Sequence, residues 1–320
     1  MPSTQARGIE NTAVPGHKVV EANPDPATVG RLLRLLQPDL KRQKHTRGGH
    51  KEDLSPTGFQ EKTLHDATEY SKQGGAMNPR AMARAAALIQ HEGLKGFMDF
   101  DEGMEKGKFL GSNYLLVNGH DTTGEGSLSP LSFVSAQLYQ LATAPIFSKQ
   151  PFTLGYFCAM HRPFSVYGSE TCQPTGMMVS LLGQLAGQMV ERGIPVNLPL
   201  DDKQWRHIKK RKLDILGTVF STLVEGLPRD SMVYCVIDEF TCYDQPDITE
   251  DLQTILQTLI DALKVCDKED GPTFKLLVTT RRQPMSLEVR RMFRGHTVDL
   301  PAFVEVRDSS QAILQQFSRR

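Results

Sequence analysis

The stretch 232–244, MVYCVIDEFTCYD, constrains the fold more than any other part of this chain. Its first residues are apolar and rich in β-formers, and no charge interrupts them before Asp238 and Glu239. A strand with one solvated face alternates apolar and polar residues, whereas a continuous apolar run is typical of a strand buried on both faces. The stretch therefore predicts a strand of a parallel sheet that is covered on each side.

Two carboxylates, Asp238 and Glu239, follow this strand directly. Open α/β sheets bind their ligands outside the carboxyl ends of the strands, so this pair is placed where a phosphate ligand can sit. An aspartate there can hold Mg²⁺, and a glutamate can polarise the water that attacks a γ-phosphate. Short motifs also match by chance, and the alternative is a strand that simply ends in acidic, N-cap-like residues.

Strands and helices alternate along the rest of the folded part. Apolar runs predict further strands at 113–118, 151–159, 274–279 and 296–300. Helical spacing of apolar residues predicts helices that begin after Asn78, after Ser129 and at Pro174, and helices over 202–225 and 251–265. This alternation predicts an α/β fold, a three-layer α/β/α sandwich around a mainly parallel five-stranded sheet.

The amino-terminal quarter differs in composition from this pattern. Residues 1–75 are rich in Pro, Gly, Ser, Thr and charge, and only 26–36 carries an apolar stripe at helical spacing. We predict a largely disordered leader with one short docking helix. The folded domain would span 76–305, and residues 306–320 would form a carboxyl-terminal tail.

Composition argues against several classes of protein. Lys+Arg and Asp+Glu are balanced at 37 each, so no net charge draws the chain to nucleic acid or to an anionic membrane. No window reaches the ~20 apolar residues of a membrane-spanning helix, and the first residues lack the apolar core of a secretory signal. Five cysteines without CxxC or Cys/His spacing argue for a reducing compartment and against disulfides or zinc. We therefore expect a cytoplasmic protein.

Two short basic runs, 41–47 and 209–212, leave a nuclear location open. Such runs are more often solvated linkers or helix faces than import signals. A nucleic-acid binder that used them would show steeply salt-dependent binding. No aromatic residues interleave these runs, so the sequence ranks nucleic acid last among the possible partners.

A glycine-rich loop follows the first predicted strand of the domain, and strand, glycine loop and helix together form a phosphate-binding layout. In the motif G-x-x-x-x-G-K-[ST], backbone N–H groups cradle the phosphates, the lysine reaches the β- and γ-phosphates, and the hydroxyl binds Mg²⁺. Here Gly119 and Gly124 match the two glycines. Glu125 occupies the lysine position, Gly126 the hydroxyl position, and Ser127 comes one position late.

This exchange of a cation for an anion weakens the predicted nucleotide site. A lost charge-assisted hydrogen bond costs about 1.5–3 kcal/mol, and a carboxylate about 4 Å from a phosphate charge adds up to about 4 kcal/mol of repulsion. A micromolar site would become about millimolar or weaker. Pro130 also removes one N–H from the helix start. Three basic side chains could approach the loop in place of the lysine, namely His120, His161 and Arg162.

Taken together and in this order, the segments resemble the P-loop NTPase core of the NACHT and related STAND signalling ATPases, especially their fungal members. The similar segments span about 88–301 and are YLLVNG, SPLSFVSAQL, LGYFCAMH, GMMVSLLGQL, VYCVIDEF and FKLLVTTRR. The resemblance implies that Asp238 binds Mg²⁺, that Glu239 is the hydrolytic carboxylate, and that Arg281 of the Thr-Thr-Arg signature senses the terminal phosphate. Such proteins normally continue into a helical lid and a winged-helix segment, for which residues 302–320 are too few.

Two functions remain open at this point. In one, ATP or GTP binds with Mg²⁺ and is hydrolysed slowly, so that the chain is a nucleotide-dependent switch. In the other, the chain is a pseudoenzyme, a scaffold for protein partners in which nucleotide binding is weak or absent. The Asp238-Glu239 pair favours the switch, and Glu125 favours the scaffold, which we expect.

Overall fold

A computed structural model of the chain describes residues 26–36, 58–73, 77–98, 112–120, 129–145, 149–161, 173–243, 248–267, 271–301 and 309–318. At its centre lies a five-stranded sheet in which every neighbouring pair of strands is parallel. The strands are β1 (Asn113–Asn118), β2 (Phe152–Phe157), β3 (Met232–Asp238), β4 (Thr273–Thr280) and β5 (Thr297–Asp299). Their order across the sheet is β2-β3-β4-β1-β5. The predicted α/β fold class is confirmed.

The described helices are α1 (Pro26–Leu36), α2 (Gly58–Gln73), α3 (Pro79–Gln90), α4 (Glu92–Met98), α5 (Pro130–Thr143), α6 (Pro174–Glu191), α7 (Asp202–Lys209), α8 (Leu213–Glu225), α9 (Thr249–Cys266), α10 (Leu287–Met292) and α11 (Ser309–Ser318). One apolar cluster packs helices α1, α6, α7, α8, α9 and α10 on one face of the sheet. A second cluster joins α3, α4, α5 and α11 to the other face. Two short 3-10 helices follow β2 and β3, at Cys158–His161 and Phe240–Tyr243.

The strand β3 is buried along its whole length, as its uninterrupted apolar sequence predicts. Cys235 and Ile237 pack in the first cluster, and Tyr234 and Val236 pack in the second. Successive side chains of a strand point to opposite faces, so both helical layers contact this strand. The alternation explains why no polar residue interrupts the run before Asp238.

Two helix starts agree with the caps that the sequence predicts. The side-chain oxygen of Asn78 accepts a hydrogen bond of 2.9 Å from the Ala81 N–H. The Ser129 hydroxyl accepts one of 3.2 Å from the Leu131 N–H. In each case a proline stands in the first turn. Each cap satisfies one of the backbone donors that a helix start leaves unpaired.

The predicted single helix over 202–225 is wrong, because the structure divides it into α7 and α8. The chain turns at Arg211, whose φ of 53° lies in the left-handed region. The basic run 209–212 lies at this turn and not along a helix face. No residue between Ile208 and Leu213 is apolar, so no side chain in the run packs on the core to continue the helix.

The amino-terminal segment 1–75 contains a second helix, α2, besides the predicted helix α1. The buried side of α2 consists of Thr63, Asp66, Ala67 and Tyr70. Such a polar and small face lacks the apolar periodicity by which helices are recognised in a sequence. Folded structure therefore begins before residue 76, and the rest of 1–75 lies outside the described residues. In the predicted tail, Leu314 of α11 is buried in the second cluster.

The outer edge of β2 is covered by side chains. Gln184 of α6 accepts a hydrogen bond of 2.9 Å from the Gly155 N–H and donates one of 2.8 Å to the Gly155 carbonyl. Gln188 makes the same two contacts with Thr153, at 3.0 and 2.9 Å. An exposed strand edge is a template for pairing with other chains. The two glutamines occupy these backbone groups and so close the edge.

Replacing Gln184 by methionine should lower the free energy of unfolding by about 1–2 kcal/mol, because it leaves a buried backbone N–H without a partner. The Gly155 carbonyl would keep a weak contact with the Thr63 hydroxyl, which lies 3.5 Å away. Urea unfolding measures the change. Gln257→Met is the matched control, since Gln257 bonds to an exposed Asp261 and, within the described residues, to no backbone group of a strand. Equal losses in both variants would contradict an edge role for Gln184.

Candidate functional site

The candidate site lies at the carboxyl ends of β1, β3 and β4. The strand β1 leads towards α5, which packs on one face of the sheet, whereas β4 leads to α10, which packs on the other. The two strands are neighbours and the helices that follow them pack on opposite faces, so the topology has a switch point at this edge. Such a switch point is where open α/β sheets bind ligands.

Asp238 lies fully buried at this edge. One of its carboxylate oxygens, Oδ1, accepts a hydrogen bond of 2.7 Å from the Thr279 hydroxyl. The other, Oδ2, has no hydrogen-bond partner among the described residues. The hydroxyls of Ser132 and Ser135, on α5, favour the charged form of Asp238, yet neither makes a hydrogen bond of good geometry within the described part. Four side-chain oxygens, those of Asp238 Oδ2, Ser132, Ser135 and Thr279, thus belong to one buried polar group.

The pKa of Asp238 is raised to about 7, first by burial and then by the negative charge of Glu239. Burial disfavours the ionised carboxylate because water no longer solvates it. Perturbed pKa values cluster at functional sites, where other demands outweigh stability. Asp238 is therefore the candidate ligand-binding carboxylate of this edge.

Glu239 forms hydrogen bonds with Thr279 of β4 and with Arg281, which follows that strand. Its backbone has a φ of 50°, a strained conformation for a residue with a side chain. Its N–H donates a hydrogen bond of 3.1 Å to the Thr279 hydroxyl, which fixes this turn. Its Oε1 accepts two hydrogen bonds from Arg281, of 3.0 Å from Nε and 2.7 Å from Nη2. The side chains of Glu239 and Arg281 are only 2% and 11% exposed.

The structure thus brings together Asp238, Glu239 and Arg281, the three residues to which the sequence assigned metal, hydrolytic and sensor roles. Glu239 and Arg281 contact each other in a nearly buried ion pair. The sequence placed both at the same edge of the sheet, but it did not predict this contact. Each charge is satisfied by the other.

Among the predicted phosphate-binding residues, Gly119 lies within the described residues, and Gly124, Glu125, Gly126 and Ser127 lie outside them. The Gly119 N–H donates a hydrogen bond of 2.8 Å to the Thr280 carbonyl. A Cβ atom at Gly119 would come within 2.7 Å of Leu131 Cδ1 and 3.2 Å of the same carbonyl. Glycine at this position avoids both contacts, so β1 lies close to β4 and α5 without a shift of Leu131 or of the β4 backbone.

His120 and His161, which the sequence suggested as replacements for the missing lysine of the loop, contact acidic side chains instead. His120 Nε2 lies 2.8 Å from Asp299 Oδ1 at the end of β5. His161 Nε2 lies 3.2 Å from Asp66 Oδ2 on α2. Arg162 lies outside the described residues.

A different cation, Arg84 of α3, reaches the loop. Its Nη2 donates a hydrogen bond to the carbonyl of Gly119. No local pattern predicts this contact, since α3 precedes β1 and its sequence shows only an apolar face and a cap. The structure therefore places one guanidinium at the entry to the predicted phosphate loop.

The helix α2 also contributes to the site, through Tyr70. This tyrosine packs on Phe157, with ring centroids 5.5 Å apart. Burial raises the pKa of Tyr70 well above its ordinary value, and the negative charges of Asp238 and Glu239 raise it further. The phenol therefore lies within electrostatic range of both carboxylates. Sequence reasoning missed it because α2 itself was not predicted.

No family model matches this sequence, and comparisons with curated proteins and with solved structures likewise find no match. Within the described residues, no helix is long and apolar enough to cross a membrane. The described cysteines, Cys158, Cys235, Cys242 and Cys266, are free thiols. No group of three or more His, Cys, Asp or Glu side chains in this part of the chain is arranged to hold a metal ion.

Proposed function

We propose that the chain is a degenerate NACHT- or STAND-like NTPase module that acts as a signalling or interaction scaffold and binds ATP or GTP weakly or not at all. The observation that supports this proposal is the ion pair of Glu239 with Arg281. A hydrolytic glutamate must be available to a water molecule, and a sensor arginine must be available to a γ-phosphate. Here each is neutralised by the other. Glu125, in place of the lysine, supports the same conclusion.

A second candidate, an Mg²⁺-dependent switch, is favoured by the oxygen atoms around Asp238. Its Oδ2 and the hydroxyls of Ser132 and Ser135 have unused hydrogen-bonding capacity among the described residues. Magnesium prefers oxygen ligands and keeps several waters, so these groups fit it chemically. Asp238 would hold the ion, with the serines as direct or water-mediated partners, and the bound ion would neutralise phosphate charge. Arg84 would supply a second positive charge near Gly119.

Isothermal titration with Mg-ATP and Mg-GTP tests the proposal, at about pH 8 so that Asp238 is ionised. We expect a dissociation constant weaker than about 100 μM for both nucleotides. Glu125→Lys, which restores the lysine of the motif, should tighten binding by about tenfold or more, since it replaces a repulsive contact with an attractive one.

The matched control is Glu191→Lys, which makes the same charge change at an exposed position on α6 and should leave binding unchanged. Wild-type affinity tighter than about 100 μM that Asp238→Ala abolishes would overturn the scaffold proposal in favour of the switch. No gain from Glu125→Lys would instead show that the glycine loop is not a phosphate loop.

A further inference from the structure

The segment between β4 and β5 carries an exposed surface that neither the core nor the carboxylate site uses. Met285 is 68% exposed and Leu287 is 47% exposed, more than any other large apolar side chain of the described residues. Scattered apolar residues on a surface need no explanation, but neighbouring ones of this size do. These two stand only two positions apart.

Arginines neighbour the two apolar side chains in the sequence and on α10. Leu287, Arg290 and Arg291 are three and four positions apart, so they share the outer side of α10. The other side of this helix carries Val289, which is packed into the core. Arg290 Nη2 also lies 3.5 Å from the carbonyl of Met285, which places the methionine beside the helix. The α10 surface is defined here as Arg282, Met285, Leu287, Arg290, Arg291 and Arg294, all exposed.

The composition of this segment indicates the kind of partner. Between residues 281 and 296 the chain has five arginines, no lysine and one acidic residue, Glu288. Arg291 lies 3.7 Å from Glu288, but an exposed pair of this kind contributes little. Methionine and arginine are enriched in protein–protein interfaces, where lysine is depleted. The planar guanidinium also binds carboxylates through two parallel hydrogen bonds, which an ammonium group cannot do.

We propose that the α10 surface binds another protein through an acidic segment that also presents apolar side chains. Met285 and Leu287 pack against the apolar side chains of that segment, and Arg290 and Arg291 bind its carboxylates. The exposed Met285 and Leu287 favour a protein partner over nucleic acid, because protein–DNA interfaces are more polar than protein–protein ones. The inference deepens the proposed scaffold function and rests on it, because it identifies where the scaffold binds.

The surface is also continuous in sequence with the carboxylate site. Arg281, which holds Glu239, is the residue immediately before Arg282. A partner bound at the α10 surface is therefore separated from the ion pair by a single short connection.

Fluorescence anisotropy with labelled peptides tests the inference on the full chain. The first probe alternates Glu and Asp with Leu and Phe, the second replaces Leu and Phe by Ser, and the third replaces Glu and Asp by Lys. We expect a dissociation constant of about 10 μM for the first probe and at least about tenfold weaker binding of the other two. Equal binding of all three, or none tighter than about 1 mM, would overturn the inference.

Variants of the surface give a second test with the first probe. Met285→Ser/Leu287→Ser and Arg290→Glu/Arg291→Glu should each weaken binding by about tenfold or more. Lys209→Glu/Lys210→Glu is the matched control, because it makes the same charge change at exposed positions near the turn after α7 and should leave binding unchanged. Thermal unfolding of each variant confirms that the fold is intact.

Two competing partners are tested in the same assay. Vesicles with about a third of phosphatidylserine represent an anionic membrane, and a labelled single-stranded oligonucleotide represents nucleic acid. Binding of either as tight as that of the acidic peptide would overturn the inference. The nucleotide titration is a separate measurement, so tight nucleotide binding would reject the proposed pseudoenzyme while leaving the peptide result intact.

Discussion

Replacing Arg281 by methionine should lower the free energy of unfolding by about 3–5 kcal/mol, the largest effect that we expect from a single substitution in the described residues. Glu239 would remain, 2% exposed and without the guanidinium that satisfies its Oε1. A buried carboxylate that loses its partner either remains charged, with an uncompensated desolvation free energy, or takes up a proton. Urea unfolding at neutral pH measures the change.

The double variant Arg281→Met/Glu239→Gln distinguishes a true pair from two independent losses. We expect it to be more stable than Arg281→Met alone, with a coupling of about 1–3 kcal/mol, because no unpaired charge remains. Arg282→Met is the matched control at the neighbouring exposed arginine and should change stability by less than about 0.5 kcal/mol. Equal stability of Arg281→Met and Arg282→Met would rule out the ion pair.

Asp238→Asn should stabilise the protein by about 2–3 kcal/mol more at about pH 8 than at about pH 5, in metal-free buffer. The carboxyl has an ordinary pKa of 3.8 and a pKa of about 7 when folded. Between these values the folded chain keeps a proton that the unfolded chain releases, so stability from this group falls as the pH rises. The contribution is fully present below 3.8 and is lost as the pH rises through about 7.

The measurement is the difference in unfolding free energy between variant and wild type across this range, which cancels the titration of other groups. Asp214→Asn, on the exposed side of α8, removes the same charge from a solvated position and should give a small, nearly constant difference. A difference for Asp238→Asn that stays constant between about pH 5 and pH 8 would contradict a raised pKa. When removal of a carboxylate stabilises the folded protein, that carboxylate is usually retained for its function and not for its contribution to stability.

Much of the fold could be predicted from the sequence because its signals are local. The apolar run of β3, the caps at Asn78 and Ser129, and the alternation of strands with helices all depend on neighbouring residues. The order β2-β3-β4-β1-β5 could not be predicted, because no local pattern says that β1 inserts between β4 and β5. The helix α2 was missed because its buried face is polar, and the turn at Arg211 was missed because the stripe of Trp205 and Ile208 continues at Ile215.

The candidate site could be predicted in part for the same reason. Asp238, Glu239 and Arg281 follow strand ends, and the parallel sheet brings such positions to one edge. The contact of Glu239 with Arg281 depends on the register of β3 against β4, in which Ile237 pairs with Val278. Arg84 and Tyr70 come from helices that precede the sheet in sequence, so only the packed structure shows that they reach the site. The roles of these residues in nucleotide chemistry stay predictions.

The position of α2 has a consequence for dissecting this protein into pieces. A fragment trimmed to begin at α3 would look complete from the sequence, since it would retain every strand. It would nevertheless lose Phe59 of α2, whose ring packs directly on Gly183 of α6. A Cβ atom at Gly183 would come within 2.5 Å of that ring. It would also lose Tyr70, whose phenol lies within electrostatic range of Asp238 and Glu239. Any affinity or turnover measured on such a shortened version would describe a chain that lacks the packing of α2 on α5 and α6.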